Sequence, residues 1–326
     1  MEEINCIFCN TGNHRVVIEE NGYTGRKCFQ CGLIYISPRP SLDEILVLYS
    51  HDNAHISARS HISGEFSKRL AARHNLKFVT SYSKRGSILE IGAGAGYFLD
   101  EAKKLGFDPY GIEFNSVQAI YIREQLHIPC EESPVSESAF KGIQFDIVYH
   151  CDVISHFFDP FSEFKNIHQR MKEGGILLFE TGNLGEVKQK YFKYFKRFQY
   201  PDHLFFFSPD NLIELLEKTG FECIRIYRYS ILPQLIALNA YAFARNSLKN
   251  GIKKYKQPEN RSEDNTDTKS LSGKYLQSGR RSDSILKKSF RFLYSCSEYL
   301  LRYKIGYLVP KTHRPQTLII VARKRP

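Results

Sequence analysis

The stretch Ile88-Leu-Glu-Ile-Gly-Ala-Gly-Ala-Gly-Tyr-Phe-Leu99 places three glycines, Gly92, Gly94 and Gly96, at every second position. They follow a short apolar run and precede a segment that is compatible with a helix. Because glycine has no Cβ, such a turn lets bare backbone pass close to a bound molecule. We therefore predict a buried strand over Ser87–Ile91, a cofactor turn, and a helix over Tyr97–Leu105.

Two kinds of cofactor site share this order of elements. A dinucleotide-binding fingerprint has a strand, a glycine turn, a helix and an acidic residue about 20 positions further on. The next predicted strand, Pro109–Glu113, does end in a carboxylate. However, the third glycine of that fingerprint would fall at position 97, where this sequence has Tyr97. The third glycine comes one residue early, at Gly96, and this favours the other kind of site.

The pattern Glu90-x-Gly92-x-Gly94-x-Gly96, with Glu113 ending the next strand, resembles motif I of the class I S-adenosylmethionine-dependent methyltransferases. Adenosylmethionine has no phosphates, so bare backbone is sufficient beside its amino-acid end and ribose. The resemblance implies that Glu113 accepts hydrogen bonds from both ribose hydroxyls and that Glu90 orients the methionine ammonium. The implied cofactor site consists of Glu90, Gly92, Ala93, Gly94, Gly96, Glu113 and Asp152.

The downstream sequence continues this resemblance. The predicted elements are, in order, a strand over Phe145–His150, a loop over 151–160, a helix over Phe161–Met171 ended by Gly174-Gly175, and a strand over Ile176–Thr181. In the family the fourth strand ends in Asp-Val-Leu-Glu-His. Here Ser155 replaces the usual Glu, and Glu173 replaces the proline that usually precedes the two glycines. Residues 202–209 are similar to a His-Leu-x-x-Phe-Ser element of the family. The alternative for motif I is an ordinary glycine-rich turn, and such a turn would not be followed by these family elements. The resemblance implies an α/β fold with a seven-stranded Rossmann-like sheet.

Four cysteines near the N-terminus form two Cys-x2-Cys pairs separated by 18 residues: Cys6, Cys9, Cys28 and Cys31. This spacing is typical of a zinc ribbon with one tetrahedral structural zinc ion, and Gly12 and Gly32 suit the tight turns after each pair. The alternatives are two disulfides, which a cytosolic chain disfavours, or a chance spacing. The other four cysteines have no paired spacing and are expected to be buried apolar residues.

Methyl transfer to a hydroxyl requires alignment of the reactants and a group that accepts the proton. The family resemblance places His156 and His203 beside the cofactor pocket, and we take both as candidate catalytic residues. A histidine that caps or packs a loop is an equally weighted explanation for each. Asp152 is expected to line the cofactor. The segment Lys188–Tyr200 alternates basic and aromatic residues. It lies where the family places substrate-recognition loops, although a solvated helix with an apolar stripe is the commoner explanation.

The net charge of +11 is concentrated in the C-terminal third. Residues 231–326 hold 20 Lys and Arg against 6 Asp and Glu, whereas the rest of the chain has a small acidic excess. A basic amphipathic helix is predicted over Ile285–Ile305. Its apolar face would be Leu286, Phe290, Leu293, Cys296 and Leu300, and its cations Lys287, Lys288, Arg291 and Arg302. Such a helix either contacts an anionic membrane or an anionic polymer, or packs on the domain with a solvated basic face.

The sequence predicts three parts: a zinc ribbon over 1–40, a helical linker or cap over 41–85, and the methyltransferase domain over 86–326. The last contains a helical, partly flexible insertion at about 231–315. No signal peptide and no apolar run of about 18 residues is seen. The expected location is therefore the cytoplasm, with peripheral contact at the inner membrane face as a further expectation.

The expected function is methyl transfer from S-adenosylmethionine to an oxygen of a small-molecule or carbohydrate acceptor, with lipid-linked sugars among the candidates. By analogy, zinc ribbons accompany this methyltransferase type in bacterial sugar and polysaccharide pathways. The first alternative is an RNA methyltransferase that uses the ribbon and basic tail, although nucleic acid is the less favoured partner because residues 1–40 are not strongly basic. The second is a non-catalytic scaffold, which an intact glycine turn and Glu113 argue against.

Overall fold

The computed structural model describes residues 1–50, 58–135, 140–253, 285–308 and 311–326. Of these, residues 46, 48–50, 59, 244–253 and 285–291 are described by their backbone alone.

Eleven strands lie in the described residues: β1 (His14–Glu20), β2 (Tyr23–Cys28), β3 (Ile34–Ile36), β4 (Ser87–Ile91), β5 (Asp108–Ile112), β6 (Cys130–Glu131), β7 (Phe145–Cys151), β8 (Met171–Gly182), β9 (Phe205–Phe206), β10 (Phe221–Ser230) and β11 (Gln316–Lys324). The α-helices of the same residues are α1 (Leu42–Ser50), α2 (Ala58–Ser63), α3 (Glu65–Tyr82), α4 (Tyr97–Lys104), α5 (Ser116–Gln125), α6 (Pro160–Gln169), α7 (Pro209–Lys218), α8 (Leu232–Lys253), α9 (Ile285–Tyr299) and α10 (Gly306–Leu308). A π-helix, Leu300–Ile305, joins α9 to α10. Short 3₁₀ helices cover Ile154–His156, Leu184–Glu186 and Gln189–Tyr194.

The main sheet has seven strands in the order β10-β11-β8-β7-β4-β5-β6. The strands from β8 to β6 are parallel, and β11 is antiparallel to both of its neighbours. This confirms the predicted seven-stranded Rossmann-like fold. Parallel strands end at one edge of a sheet, which we call the carboxyl edge. It carries the ends of β4, β5, β7, β8 and β10 and the start of β11 at Gln316.

Two apolar layers cover the main sheet. Leu76 and Val79 of α3 and Phe98 of α4 pack on one face, beside Ile147 and Leu178. The other face packs against α6, α7 and the N-terminal strands; representative buried residues are Phe164, Phe179, Leu212, Leu215 and Ile34. The C-terminal insertion lies on the first face, since Tyr303 belongs to that cluster.

The N-terminal sheet has the order β1-β2-β3-β9, so its fourth strand comes from the middle of the chain. Ile34 pairs with Phe206 and Tyr35 with Phe205. The Lys27 ammonium also donates to the carbonyl oxygen of Gly185 at 2.7 Å. The first 40 residues therefore share a sheet and a hydrophobic core with the rest of the chain, and the domain boundaries given above stay predictions.

Two predicted elements differ from the structure. The helix expected over Phe161–Met171 ends at Gln169, because Met171 already pairs with Phe145 at the start of β8. The helix considered for Lys188–Tyr200 is limited to the single short 3₁₀ helix Gln189–Tyr194.

Candidate active site and cofactor turn

The turn after β4 has the left-handed backbone that the three glycines permit. Gly92, Gly94 and Gly96 have φ values of 67°, 56° and 72°. A Cβ on Gly92 would lie 2.6 Å from Cγ2 of Val153. One on Gly96 would lie 2.7 Å from Cγ1 of Ile122. Any other residue at either position would be strained and would displace its neighbour.

Glu113 is held beside this turn by backbone donors. Its carboxylate accepts hydrogen bonds from the backbone N–H of Gly94 at 2.7 Å and of Asn115 at 2.8 Å. Each bond goes to a different carboxylate oxygen, so each oxygen retains capacity to accept another donor. Burial raises the pKa of Glu113 above its usual value. Ala93 completes the turn by donating its N–H to the Ile112 carbonyl oxygen at 3.1 Å.

Glu90 is buried in β4 on the face of the sheet that carries α3, and its Oε2 atom has no hydrogen-bond partner among the described residues. Burial raises the pKa of Glu90 well above its usual value, and the nearby Glu113 raises it further. A buried carboxylate oxygen without a donor carries a large desolvation cost. A cationic ligand group at this position would offset that cost, and the methionine ammonium of the predicted cofactor is such a group.

Helix α2 lies over the cofactor turn. A Cβ on Gly94 would lie 3.2 Å from Nδ1 of His61, and the Tyr97 hydroxyl donates to the Ile62 carbonyl oxygen at 2.7 Å. These contacts bring part of the predicted 41–85 cap to the turn, which the sequence patterns did not indicate.

The structure brings the two candidate catalytic histidines together. His156 lies in the 3₁₀ helix that follows β7, and His203 lies just before β9. Their ring centroids are 4.7 Å apart in an edge-to-face arrangement. The Nδ1 atom of His156 lies 2.9 Å from the Asp202 carbonyl oxygen, and the Asp202 carboxylate is 3.3 Å away. A carbonyl oxygen only accepts, so Nδ1 carries the proton and Nε2 carries the lone pair when the ring is neutral.

Two other polar residues near the end of β7, His150 and Asp152, differ in their exposure to solvent. Asp152 is exposed at the carboxyl edge, and its N–H donates to the Glu180 carbonyl oxygen at 2.8 Å. His150 points to the opposite face and is fully buried, stacked on Phe179 with ring centroids 4.8 Å apart. Burial lowers the pKa of His150 to about 3, so this ring is neutral at pH 7.

A buried polar cluster beside Glu90 was not predicted. Glu180 of β8 accepts from the Asn75 amide at 2.7 Å, from the Tyr303 hydroxyl at 3.2 Å, and from the Arg302 guanidinium. Asn75 also donates to the hydroxyl of Tyr149, the residue that pairs with Glu90 in the sheet. The cluster thus joins α3, the main sheet and the C-terminal insertion near the cofactor turn.

The sequence carried one signal for this cluster. Glu180 follows an apolar strand, as Glu113 does, and a carboxylate at the end of a buried strand needs a partner. The partner, Arg302, is more than a hundred residues away along the chain, so spacing could not reveal it. The expectation that Arg302 belongs to a solvated basic face is therefore wrong. The side chains of Leu286, Lys287, Lys288, Phe290 and Arg291, which the same expectation concerns, lie outside the described residues.

The four paired cysteines converge as predicted. The Sγ atoms of Cys6, Cys9, Cys28 and Cys31 all lie within 4.8 Å of one another. Four thiol sulfurs in one cluster are the donor set that a structural zinc ion prefers. Gly32 has the left-handed φ of 77° expected in a tight turn. In the first pair, Asn10, with φ of 50°, takes the conformation that had been expected at Gly12.

Residues 63–226, about half of the chain, match the family model described as a methyltransferase domain. The chain belongs to this methyltransferase family. The S-adenosylmethionine dependence predicted from motif I is thereby supported, and the protein is an S-adenosylmethionine-dependent methyltransferase.

Curated relatives of this methyltransferase act on different molecules according to their names. The chain is 27% identical to a ubiquinone biosynthesis O-methyltransferase of Ruegeria pomeroyi over 174 residues, which covers 49% of this chain and 67% of the relative. It is 30% identical to a tRNA U34 carboxymethyltransferase of Helicobacter hepaticus over 109 residues, covering 29% of this chain and 34% of the relative.

Among solved structures, the methyltransferase matches phosphoethanolamine N-methyltransferase 2 of Haemonchus contortus in complex with S-adenosylmethionine. The TM-score is 0.48 at 16% identity, and the match covers 90% of this chain and 62% of that chain. Within the described residues, no helix is long and apolar enough to cross a bilayer.

Proposed function

We propose that this methyltransferase transfers the methyl group to a hydroxyl oxygen of a small-molecule or carbohydrate acceptor. The observation that carries the proposal is the contact between His156 and His203 next to the segment that packs on the cofactor turn. A Cβ on Gly92 would lie 2.6 Å from Cγ2 of Val153, and the 3₁₀ helix with His156 starts at the residue after Val153. A proton acceptor beside the methyl donor is what a hydroxyl acceptor requires.

In the proposed mechanism, adenosylmethionine held at Glu90, Glu113 and the cofactor turn would supply an electrophilic methyl carbon to the acceptor oxygen, and its sulfur would keep the bonding electrons and leave as adenosylhomocysteine. Nε2 of His156 takes the hydroxyl proton, while the Asp202 carbonyl oxygen keeps the opposite nitrogen protonated. His203 packs edge-to-face on this ring and limits its rotation.

The cofactor roles proposed for the carboxylates fit their surroundings. Glu113 retains acceptor capacity on both oxygens for the ribose hydroxyls, and the unpartnered Oε2 of Glu90 is suited to the methionine ammonium. Asp152, at the carboxyl edge, is proposed to line the same site. One zinc ion held by Cys6, Cys9, Cys28 and Cys31 would cross-link the N-terminal strands without taking part in the reaction.

The test of the proposed function uses radiolabelled adenosylmethionine and three fractions from cells that encode the protein: polar metabolites, lipid-linked glycans and RNA. We expect label in one of the first two fractions. His156→Ala or His203→Ala should lower turnover by ~10²–10⁴ with little change in cofactor affinity. If His156→Ala keeps wild-type turnover, the proposed proton acceptor is wrong.

Glu113→Ala provides the contrasting variant. Each ribose hydrogen bond to a charged acceptor contributes ~1.5–3 kcal/mol, so adenosylhomocysteine affinity should fall at least about tenfold. Calorimetry would measure this fall. Unchanged affinity would contradict the proposed cofactor site. Label that enters only the RNA fraction would favour the alternative, an RNA methyltransferase.

A further inference from the structure

A cationic cleft of about 580 Å³ lies at the carboxyl edge, outside the site described above. Lys188, Lys190 and Tyr191 line one wall, and residues 311–314 line the other. A volume of this size is within the range of small-molecule sites. The second wall contributes Lys311, His313 and Arg314.

Hydrogen bonds fix the second wall of the cationic cleft to the end of β8 and the start of β11. The Asn183 amide donates to the Arg314 carbonyl oxygen at 2.9 Å, and the Gln316 amide donates to that of Lys311 at 2.9 Å. Gln316 in turn donates its backbone N–H to the Asn183 side chain at 2.8 Å. Asn183 and Gln316 are both almost fully buried. The cleft is therefore part of the framework at this edge of the sheet, although its lysine side chains are exposed.

The positive charge of the cationic cleft is not balanced by nearby carboxylates. Within the part of the chain that the structure describes, Lys188, Lys190, Lys311 and Arg314 have no carboxylate within 4.0 Å. The nearest acidic residue along the chain, Glu186, is already engaged by the Arg228 guanidinium at 2.7 Å and by the Asn183 amide at 2.7 Å. Four like charges around one cleft repel one another, and an anion placed between them would relieve that repulsion.

The cationic cleft and the cofactor turn lie at the same edge of the main sheet. The cleft is built where β8 ends at Gly182 and β11 begins at Gln316, and the turn follows β4 at the same edge. Strand β4 is two strands from β8, and strands are spaced about 4.8 Å apart, so the ends of β4 and β8 are about 10 Å apart.

We propose that the cationic cleft binds the phosphate or diphosphate group of the acceptor and so places the acceptor hydroxyl beside the methyl donor. The proposal rests on the proposed function for the identity of the acceptor as a small molecule or carbohydrate. Lysine and arginine bind phosphate oxygens through charge-assisted hydrogen bonds. Tyr191 supplies a flat surface next to the cations for a ring of the acceptor.

The test is calorimetric titration of the full-length protein with inorganic pyrophosphate. The variant is Lys188→Glu combined with Lys311→Glu. Loss of one charge-assisted hydrogen bond at each position, with reversal of charge, should weaken pyrophosphate binding by more than about tenfold. Adenosylhomocysteine binding should be unchanged. The matched control combines Lys84→Glu with Lys141→Glu, two exposed lysines that precede β4 and β7 at the opposite edge of the sheet.

The outcomes separate this inference from the proposed function. Failure of the wild type to bind adenosylhomocysteine would contradict the proposed function. With adenosylhomocysteine bound normally, absent pyrophosphate binding, or equal binding by both double variants, would overturn the cationic cleft as a phosphate site. Tighter, cleft-dependent binding of single-stranded RNA would overturn it in favour of nucleic acid.

A vesicle flotation experiment distinguishes a lipid-borne phosphorylated acceptor from a soluble one. Phosphatidylcholine vesicles with and without phosphatidylglycerol are floated with wild type and the cleft variant. Flotation that needs phosphatidylglycerol and is lost in the cleft variant would support a phosphate carried by a lipid-borne acceptor. Pyrophosphate binding without such flotation would support a soluble phosphorylated acceptor.

Discussion

The two carboxylates beside the cofactor turn lie in surroundings that disfavour their charged form. Glu90 and Glu113 are both buried, and burial raises the pKa of each carboxyl group. Glu113 is compensated by two backbone donors, whereas Oε2 of Glu90 has none among the described residues. A bound ammonium would favour the ionised form of Glu90. Cofactor binding and proton release are therefore expected to be linked at this residue.

We expect adenosylhomocysteine affinity to rise with pH up to the raised pKa of Glu90 and then to level off. Below that pKa the free protein holds a proton on Glu90, and binding of the ammonium releases it. Calorimetry in two buffers of different ionisation enthalpy would count the released protons. Glu90→Gln should lower the affinity and reduce the proton release. Any proton release that remains in the variant is assigned to Glu113. If the variant releases as many protons as the wild type, the role of Glu90 is wrong.

His150 makes stability depend on acidity. Its pKa falls from 6.5 to about 3 on folding, so the unfolded chain binds a proton that the folded protein excludes. Stability from this residue is present above the unfolded pKa and is lost as the pH falls below 6.5. Between pH values of about 7 and 5 the expected loss is about 2 kcal/mol of unfolding free energy.

Urea denaturation of wild type and His150→Phe at both pH values would test this expectation. The variant keeps an aromatic ring on Phe179 but has no titrating nitrogen. The difference in unfolding free energy between the two pH values should be about 2 kcal/mol smaller in the variant. His74, whose pKa burial lowers to about 4, contributes equally in both proteins and cancels. An equal loss in both proteins would show that His150 does not titrate as described.

At the scale of elements, the N-terminal strands and the candidate catalytic residues are connected. β3 pairs with β9, and His203 is two residues before β9. The backbone N–H of Leu204, between them, donates to the Ser155 carbonyl oxygen at 2.7 Å, in the 3₁₀ helix of His156. A metal that orders β2 and β3 would thus stabilise the position of both histidines without touching a substrate.

We expect one zinc ion per chain in freshly purified protein, and its loss in Cys28→Ser. Because β3 pairs with β9, the amides of Phe205 and Phe206 should then exchange hydrogen faster, while β4 and β5 should be little affected. Metal analysis and hydrogen-exchange mass spectrometry measure both effects. Cys296→Ser, which changes a cysteine outside the cluster, is the control. A wild type without zinc would contradict the proposed metal site.

At the scale of the whole molecule, the C-terminal insertion exposes several large apolar side chains. Phe243 of α8 is 76% exposed, Leu293 of α9 is 65% exposed and Leu300 of the π-helix is 51% exposed. α8 and α9 are joined by the Gln234 amide, which donates to Glu298 at 2.8 Å. Exposed apolar side chains in a region with a large basic excess are typical of surfaces that contact anionic membranes.

We expect the protein to float with vesicles that contain phosphatidylglycerol, and the combined variant Phe243→Ser, Leu293→Ser and Leu300→Ser to float much less. Burial of such side chains stabilises the bound state by about 1.5–3 kcal/mol each. Val16→Ser with Leu105→Ser, two exposed apolar residues elsewhere, is the control. Salt should weaken binding because exposed charges are screened. If the wild type stays in the soluble fraction, the prediction of membrane contact through these side chains is wrong.

The sequence predicts those parts of the site whose residues lie close together along the chain. The cofactor turn and the Cys-x2-Cys pairs were predicted from local patterns, and the seven-stranded fold and the candidates Glu90, Glu113, His156 and His203 were predicted from the family resemblance of those patterns. Each of these features depends on a strand, a turn or a helix whose signal lies within about 25 residues. These local preferences are kept in the folded protein because residues that are close in the sequence are also close in space.

Only the tertiary structure decided the contacts between distant segments. Arg302 was expected on a solvated face and instead pairs with Glu180, because a buried carboxylate requires a partner and the fold brings this cation to it. Phe205 and Phe206 complete a sheet with residues of the first 40, and the cationic cleft joins residues 188–191 to residues 311–314. Such pairs have no common period or spacing in the sequence, since burial and charge select them only after the chain has folded.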